Sequence, residues 1–285
     1  MTYRIKPFIF IEIKHKLLFL FYEKTKECNS LKLVDSHCHL EAEEFDSCID
    51  SVIDSAINAG IVKLITSSVI YSQWEKSKSL HERFNSVEFT IGVHPWYVSE
   101  QDRDIKDKLN AAENIGAIAI GEIGLDKKIQ SPLFDLQQEI FELQLQYAVD
   151  TNKPVVIHCR GAFNELIESI NRIGIPKRGG IIHAFSGSAE LAEIFIKKGL
   201  TFSMGGTLTY RDSKKRSNVL KKIYPDHFLL ESDSPDIPPI NTVKPNTPSN
   251  ILLALKAASE ILMVDQESIA RATTDNAKKI LGINV

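Results

Sequence analysis

The chain has 285 residues, of which 43% are hydrophobic and 25% are charged, and this balance excludes collagen-like, disordered and membrane-spanning classes of protein. Its length lies near the upper limit for one hydrophobic core, so one large domain competes with two ordinary ones. With 34 Lys and Arg residues against 37 Asp and Glu residues, the net charge is −3. No overall positive field exists to hold a long polyanion, and any contact with nucleic acid must be local.

Residues 1–30 form an N-terminal extension without ligand-like spacing. The longest apolar run, LLFLFY at 17–22, is far shorter than the roughly 20 residues that a membrane span needs, and no small-residue cleavage site follows it. We interpret the extension as a flexible tail or a misplaced translation start. An added helix or strand at the edge of the fold, or a membrane anchor, is the alternative.

Eight short apolar or β-branched runs follow, at residues 31–40, 62–68, 87–95, 117–126, 153–159, 179–185, 200–206 and 227–233. Several are almost continuously apolar, which is typical of strands buried on both faces. Helical periodicity lies between the runs, at 46–59, 133–151, 163–173, 189–198, 213–223 and 248–262. The alternation predicts an α/β fold, a (β/α)8 TIM-like barrel that forms a single domain over residues 31–285. An open doubly wound sheet is the alternative, but no GxGxxG turn follows the first run.

Polar side chains that do not belong in buried strands stand at the ends of these runs. His37 and His39 end the first run, and they face the same way because side chains alternate along a strand. The others, each at the end of a later run or just after it, are His94, Glu122, His158, His183 and Asp233. Barrel enzymes have their catalytic groups at this end of the strands.

Four imidazoles and two carboxylates in one pocket would carry a large desolvation cost, which metal cations would relieve. The set is His37, His39, Glu122, His158, His183 and Asp233. Six ligands are more than one tetrahedral ion uses, whereas two ions that share Glu122 as a bridge would use them all. Two such ions would activate a water, so the implied reaction is hydrolysis, with Asp233 relaying the proton. A cluster with a purely structural role is the alternative.

The motifs in which these residues stand resemble those of the TatD family of metal-dependent deoxyribonucleases, within the amidohydrolase-like metallohydrolase superfamily. They are VDSHCHL (34–40), GVHP (92–95), GEIGLD (121–126), VVIHCR (155–160), HAFSGS (183–188) and LLESDSPD (229–236). The resemblance covers roughly residues 33–285. The segment GGTLTYRDSKK (205–215) is similar to the YjjV-type branch.

The resemblance implies a (β/α)8 barrel that hydrolyses DNA with divalent metal ions, often by trimming from the 3′ end. One ion would be bound by His37, His39, Glu122 and Asp233, and Glu122 would bridge to a second ion bound by His158 and His183. His94 would contact a phosphate or another ligand rather than a metal, and Arg160 suits a substrate phosphate. Where many members have Asn-Glu-Pro after the eighth strand, this chain has Asn246-Thr247-Pro248, so a role for that glutamate is unsupported here.

Several further expectations complete the functional hypothesis. Trp96 lies where a base could stack, and basic residues at 127–128 and 214–216 could guide a phosphate backbone. Cys38 and Cys159 are expected to be buried small hydrophobes. With four irregularly spaced cysteines, a reducing cytoplasm fits best.

We therefore expect a monomeric hydrolase whose substrates are DNA ends or short oligonucleotides, without a stable protein partner or membrane association. Mg²⁺ or Mn²⁺ would support activity, and Zn²⁺ could be bound in the purified protein. A small-molecule amidohydrolase or esterase with the same site is the first alternative. A non-catalytic nucleic-acid-binding protein is the second, and the complete ligand set argues against it.

Overall fold

The structure is a computed structural model that describes residues 31–210 and 213–285. The N-terminal extension, residues 1–30, lies outside the described residues, and the interpretation of it as a tail or a misplaced start stays a prediction.

Eight strands form one parallel sheet in which the spatial order follows the order along the chain. They are β1 (Leu33–Cys38), β2 (Ile61–Ser67), β3 (Val87–Ile91), β4 (Ala119–Asp126), β5 (Val155–Arg160), β6 (Gly180–Ile182), β7 (Leu200–Met204) and β8 (Phe228–Leu230). Each strand lies within one residue of a predicted run or inside it. The helices between the strands cover the outside of the sheet, so the predicted (β/α)8 barrel is confirmed.

The last and first strands are joined by hydrogen bonds at the end of the barrel where both strands finish. The backbone N–H of Asp233 donates to the carbonyl of His37 (3.0 Å). The buried carboxylate of Asp35 accepts from the backbone N–H of Ser232 (2.8 Å) and from its hydroxyl. These bonds fix the segment after β8 against the HxH pair of β1.

Nine α-helices are found in the described part of the chain, and none of them is long and apolar enough to cross a membrane. They are α1 (Ile49–Asn58), α2 (Trp74–Arg83), α3 (Ile105–Ala111), α4 (Phe134–Thr151), α5 (Phe163–Ile173), α6 (Ala189–Ile196), α7 (Lys214–Ile223), α8 (Ile251–Leu262) and α9 (Gln266–Leu281). The helix α5 has the predicted bounds. The helices α2, α3 and α9 were not predicted from the periodicity of the sequence.

The core has two parts that the barrel wall separates. The larger part lies between the strands and the surrounding helices. The smaller one fills the barrel near the amino ends of the strands, where side chains such as Val34, Ala119 and Leu229 pack with Ala277 and Leu281 of α9. The helix α9 therefore closes one mouth of the barrel mainly with apolar side chains.

Gly124 shows why β4 carries a glycine next to its polar residues. Its φ angle is +151°, and an added Cβ would lie 1.9 Å from the carbonyl oxygen of His158 on the neighbouring strand. Only glycine allows this approach. The close approach draws β4 and β5 together beside Glu122 and His158.

Candidate metal centre

The structure brings the six predicted metal ligands together at the open mouth of the barrel. They line a cleft of about 1060 Å³ or lie directly beneath it. Three of the six side chains lie on β1, β4 and β5, with Glu122 in the middle of β4, and the other three lie in the segments just after β1, β6 and β8. Their convergence follows from the parallel barrel, because every strand ends at this mouth.

One group of donors surrounds the HxH pair. The Nε2 atoms of His37 and His39 lie 3.2 Å apart, so the two imidazoles share one face as predicted. Oε2 of Glu122 lies 3.3 Å from the first nitrogen and 3.6 Å from the second. Oδ1 of Asp233 is 3.5 Å from each. Two imidazole nitrogens and two carboxylate oxygens thus converge on one point.

The other oxygen of Glu122 belongs to a second group. Oε1 lies 2.8 Å from Nε2 of His183 and 3.2 Å from Nδ1 of His158. These two nitrogens are themselves 3.2 Å apart. Glu122 therefore stands between the two groups and turns one oxygen toward each.

The two groups of donors are suited to binding divalent cations, which would compensate the buried charge of Glu122. Glu122 is 2% exposed, and three imidazole nitrogens lie within 3.2 Å of its Oε1 atom, yet none of them makes a hydrogen bond of regular geometry with it. A buried, unpartnered carboxylate oxygen is costly unless a cation compensates it. Two combinations of these side chains have donor atoms close enough to hold an ion: His37, His39 and Glu122; and His37, His183 and Asp233. A third combination joins Glu122 and His158 with the neighbouring His94.

The electrostatics of the pocket keep Glu122 and Asp233 ionised but divide the imidazoles. Burial lowers the pKa of His39, but hydrogen bonds to Asp233 and Glu41 outweigh it and raise that pKa well above its usual value. Burial raises the pKa of the Glu122 carboxyl, but the surrounding imidazoles, above all that of His183, outweigh it and hold the pKa well below its usual range. Burial also lowers the pKa of the His37 imidazole to about 4, so that side chain is neutral at pH 7. Burial lowers the pKa of His183, but the Glu122 carboxylate outweighs that effect and raises it to about 9. A cation at the Glu122 oxygen would take the place of that proton.

Ser67, at the end of β2, orients both imidazoles of the HxH pair. Its backbone carbonyl lies 2.8 Å from Nδ1 of His39, and its hydroxyl lies 3.2 Å from Nδ1 of His37. A proton on Nδ1 of His39 leaves the lone pair of Nε2 for a cation. This role of Ser67 was not predicted, because a serine within an apolar run gives no signal of such a contact.

His94 lies beside the second group, but its ring is not oriented like those of the four histidines that would bind metal. Its Nδ1 atom accepts a hydrogen bond from the backbone N–H of Trp96 (3.1 Å), and its Nε2 atom faces Oε1 of Glu122 at 3.2 Å. Burial lowers the pKa of His94 to about 4, so the ring is neutral and its one proton is on Nε2. In that form Nε2 carries the proton, turned toward Glu122, and offers no lone pair to an ion. This geometry supports the expectation that His94 contacts a ligand rather than a metal.

The predicted substrate-binding residues form the rim of the cleft next to the second group. Trp96 is 42% exposed, and the guanidinium of Arg160 lies 5.3 Å from the centre of its ring. Both side chains bond to the buried carboxylate of Asp126, the last residue of β4. Asp126 was not among the predicted site residues, although a carboxylate at the end of a barrel strand, inside the GEIGLD motif, was an available signal.

Cys38 and Cys159 are buried, as predicted, with exposures of 0% and 6%. Burial raises the pKa of the Cys159 thiol to about 12 and that of the Cys38 thiol well above its usual value. Neither sulfur is a thiolate at neutral pH, so neither can serve as a nucleophile.

Comparisons with known proteins agree with this architecture. The model of the TatD related DNase family matches residues 34–282. The chain is 32% identical over 256 residues to YabD of Bacillus subtilis strain 168, described as an uncharacterized metal-dependent hydrolase, and the match covers 88% of this chain and 100% of YabD. It is 29% identical over 257 residues to YjjV of Escherichia coli K12, which carries the same description, with coverages of 88% and 98%.

Solved structures give the same result. The crystal structure of Escherichia coli YjjV, a TatD homolog, matches with a TM-score of 0.82 at 28% identity, over 90% of this chain and 99% of that one. A hydrolase of the TatD family from Entamoeba histolytica shares the fold, with a TM-score of 0.77 at 20% identity over 88% of this chain and 98% of that one. Since the family model covers most of the chain and the relatives match along nearly their whole length, the chain belongs to the TatD family of metal-dependent hydrolases.

Proposed function

We propose that this hydrolase cleaves phosphodiester bonds of DNA and acts on the ends of single strands or on short oligonucleotides. The observation that supports the proposal most directly is the set of side chains that line one cleft. Converging nitrogen and oxygen donors line its base, and an exposed Trp96–Arg160 pair stands on its rim. An aromatic ring can stack on a base, and a guanidinium can bind a phosphate next to it.

The proposal assigns two divalent cations to the two groups of donors. His37, His39 and Asp233 would hold one ion with Oε2 of Glu122, and Oε1 of Glu122 would hold the other with His158 and His183. When bound, such ions lower the pKa of water and stabilise charge on the attacked phosphate. Imidazole ligands suit Zn²⁺ or Mn²⁺, whereas phosphodiester chemistry favours Mg²⁺ or Mn²⁺.

The side chains around the donors have separate roles in this proposal. Asp233 lies at the mouth and accepts the proton of the attacking water. Burial raises its pKa, but the hydrogen bond from His39 and the neighbouring imidazoles outweigh burial and keep the carboxylate ionised. Arg160 binds a phosphate of the substrate and Trp96 stacks on a base, while the Nε2 proton of His94, which faces Oε1 of Glu122, would contact a ligand oxygen that lies beside that carboxylate.

The opposite wall of the cleft supports a second candidate function. Glu43, Glu44 and Asp236 are exposed there and give that side a negative charge that Lys244 offsets only in part. Phosphates of a long strand would be repelled from this wall, so the strand would have to leave the cleft over Arg160. A small uncharged amide, ester or lactone would experience no such repulsion, which favours the small-molecule alternative.

A panel of substrates separates the two functions. We expect the purified protein with Mn²⁺ or Mg²⁺ to shorten a single-stranded oligonucleotide and to leave esters, amides and lactones intact. Oligonucleotides labelled at the 5′ or the 3′ end report the direction of trimming, which we propose to be 3′ to 5′. A chelator should stop the reaction and added metal should restore it. Turnover of the small molecules alone would end the nuclease proposal.

Metal binding should also be visible as added stability. We expect Mn²⁺ or Zn²⁺ to raise the Tm of the metal-free protein by roughly 5 °C, because a ligand at 100 times its Kd stabilises by about 2.7 kcal/mol and 1 kcal/mol corresponds to about 2 °C at this size. Calorimetry or dye-based melting measures the shift. His158→Asn should reduce it, whereas His227→Asn, outside the cleft, should leave it unchanged. A Tm that metal does not move would contradict the assignment of ions.

The remaining expectations also belong to the proposal. We propose a monomer in a reducing cytoplasm, in keeping with the buried, unbridged thiols of Cys38 and Cys159.

Thr247 lies next to the buried Asn246, whose side-chain amide donates to the carbonyls of Ser232 (2.8 Å) and Asp236 (2.9 Å). These bonds hold the loop after β8 without a glutamate at position 247.

A further inference from the structure

Asp126 makes contacts that neither the metal assignment nor the proposed chemistry uses. It is 0% exposed, and a single oxygen of its carboxylate, Oδ2, faces three donors. Nε1 of Trp96 lies 2.6 Å away, Nε of Arg160 lies 2.8 Å away, and Nε2 of His158 lies 3.2 Å away. Two of these side chains form the rim of the cleft, and the third belongs to the second group of donors.

The carboxylate of Asp126 is itself held in place. Its Oδ1 atom accepts a hydrogen bond from the backbone N–H of Lys128 (2.7 Å). Its own backbone N–H donates to Oε1 of Gln137, a buried residue of α4 whose side-chain amide donates to the carbonyl of Pro132 (2.9 Å). Asp126 is therefore a fixed point against which more exposed side chains can be oriented.

Trp96 and Arg160 need such a fixed point because they are half-exposed. The Arg160 side chain is 46% exposed, and a long side chain on a surface samples many rotamers. The bond to Asp126 uses Nε of the guanidinium and leaves both terminal nitrogens for a ligand. The guanidinium also lies over the Trp96 ring, so one carboxylate fixes the ring and the cation as a pair. A ligand then meets side chains that are already ordered.

His158 extends this arrangement to the donor groups. Its Nδ1 atom faces Glu122, and its Nε2 atom faces Asp126. A proton on Nε2 bonds to Asp126 and leaves the lone pair of Nδ1 directed at Glu122, the orientation that a metal ligand requires. The rim and the second donor group thus have the same carboxylate as their support.

We propose that Asp126 is a positioning residue that holds the Trp96–Arg160 rim and the His158 imidazole in one fixed arrangement for binding the substrate. The identity of the ligand at the rim, a base and its phosphate, rests on the proposed function. The ordering of the rim does not, and it can be measured without substrate or metal.

The indole N–H groups provide that measurement, since the chain has two tryptophans. Trp96 donates to Asp126, and the buried Trp74 donates to the carbonyl of Gly92 (3.1 Å) and serves as an internal reference. In ¹⁵N spectra of the metal-free protein, Asp126→Ala should speed hydrogen exchange at the Trp96 indole by about tenfold or more and leave the Trp74 signal unmoved. Asp126→Asn keeps an acceptor oxygen and should restore part of the protection.

Glu165→Gln is the matched control, because Glu165 pairs with Lys127 in the neighbouring loop and, among the described residues, forms no ion pair with Arg160. It should change neither indole signal. An unchanged Trp96 exchange rate in Asp126→Ala, with the Trp74 signal intact, would overturn the proposal. If Asp126→Ala does not fold, Asp126→Asn decides the matter: exchange at the Trp96 indole should be faster than in the wild type, and an unchanged rate would overturn the proposal.

Kinetics with a single-stranded oligonucleotide test the consequence for binding. We expect Asp126→Asn and Trp96→Phe each to raise KM several-fold, and the double variant to be no worse than the more affected single one, since both changes break the same contact. Strictly additive effects on KM would contradict a shared arrangement. If wild-type protein does not turn over oligonucleotides, the proposed function fails, and the exchange measurement alone decides the role of Asp126.

Discussion

Glu122→Gln should reduce the metal content of the purified protein from two ions to at most one and lower kcat by about 10³-fold or more. The expectation follows from the position of Glu122 between the two groups of donors, with Oε2 at 3.3 Å from His37 and Oε1 at 2.8 Å from His183. An amide keeps one oxygen and replaces the other with an NH₂ group, which cannot bind a cation. Several kcal/mol of transition-state stabilisation would be lost, and each 1.4 kcal/mol is a factor of ten in rate.

Metal content of protein dialysed against metal gives the stoichiometry, and oligonucleotide cleavage gives the rate. Glu88→Gln is a suitable control, because Glu88 is also a strand carboxylate with a cationic partner, Lys63 at 2.5 Å, but lies near the amino end of β3. It should keep both ions. Two ions per chain in Glu122→Gln would show that Glu122 is not a bridge, whatever the rate.

The strands could be predicted from the sequence because their signal is strong. A strand buried between a barrel interior and a layer of helices needs apolar side chains on both faces, so each run stands out from its surroundings. The predicted runs were longer than β6 and β8, since the chain turns into the mouth soon after each strand. His183 follows β6 directly, and Asp233 lies three residues beyond β8.

Two of the three helices that were missed, α2 and α3, have weak patterns. The sequence of α2, WEKSKSLHER, contains few apolar residues, and its buried side chains are Trp74, Ser77 and Leu80. The helix α3 has seven residues, too few for a clear period. Both helices are stabilised by packing against the barrel, which a single sequence does not display.

For the site, the sequence could predict which residues meet but not how they are oriented. Alternation along β1 and the parallel order of the strands bring His37, His39 and Glu122 to one mouth. Which oxygen of Glu122 faces which imidazole, and which nitrogen of His94 carries the proton, depend on side-chain torsions and on donors such as the Trp96 N–H. The role of Asp126 was missed for the same reason, since two donors from β5 and a third from the loop after β3 converge on it.

Asp233→Asn should reduce kcat by at least about 10²-fold while KM, fold and most of the bound metal are retained. Asn has nearly the same shape and keeps an oxygen beside His37 and His39, but it cannot accept a proton from water. General bases contribute typically about 10²–10⁴-fold. The backbone bond from Asp233 to the His37 carbonyl does not depend on the side chain, and it keeps the segment after β8 in place.

Asp226→Asn provides the matched control, because Asp226 is an exposed carboxylate two residues before β8 and undergoes the same chemical change outside the cleft. Its kcat should equal that of the wild type. Single-turnover cleavage with metal content measured on the same sample separates proton transfer from ion loss. If Asp233→Asn loses an ion in proportion to its activity, the carboxylate acts as a ligand alone. If it keeps both the ions and the rate, another group must take the proton, and Asp233 has no part in the chemical step.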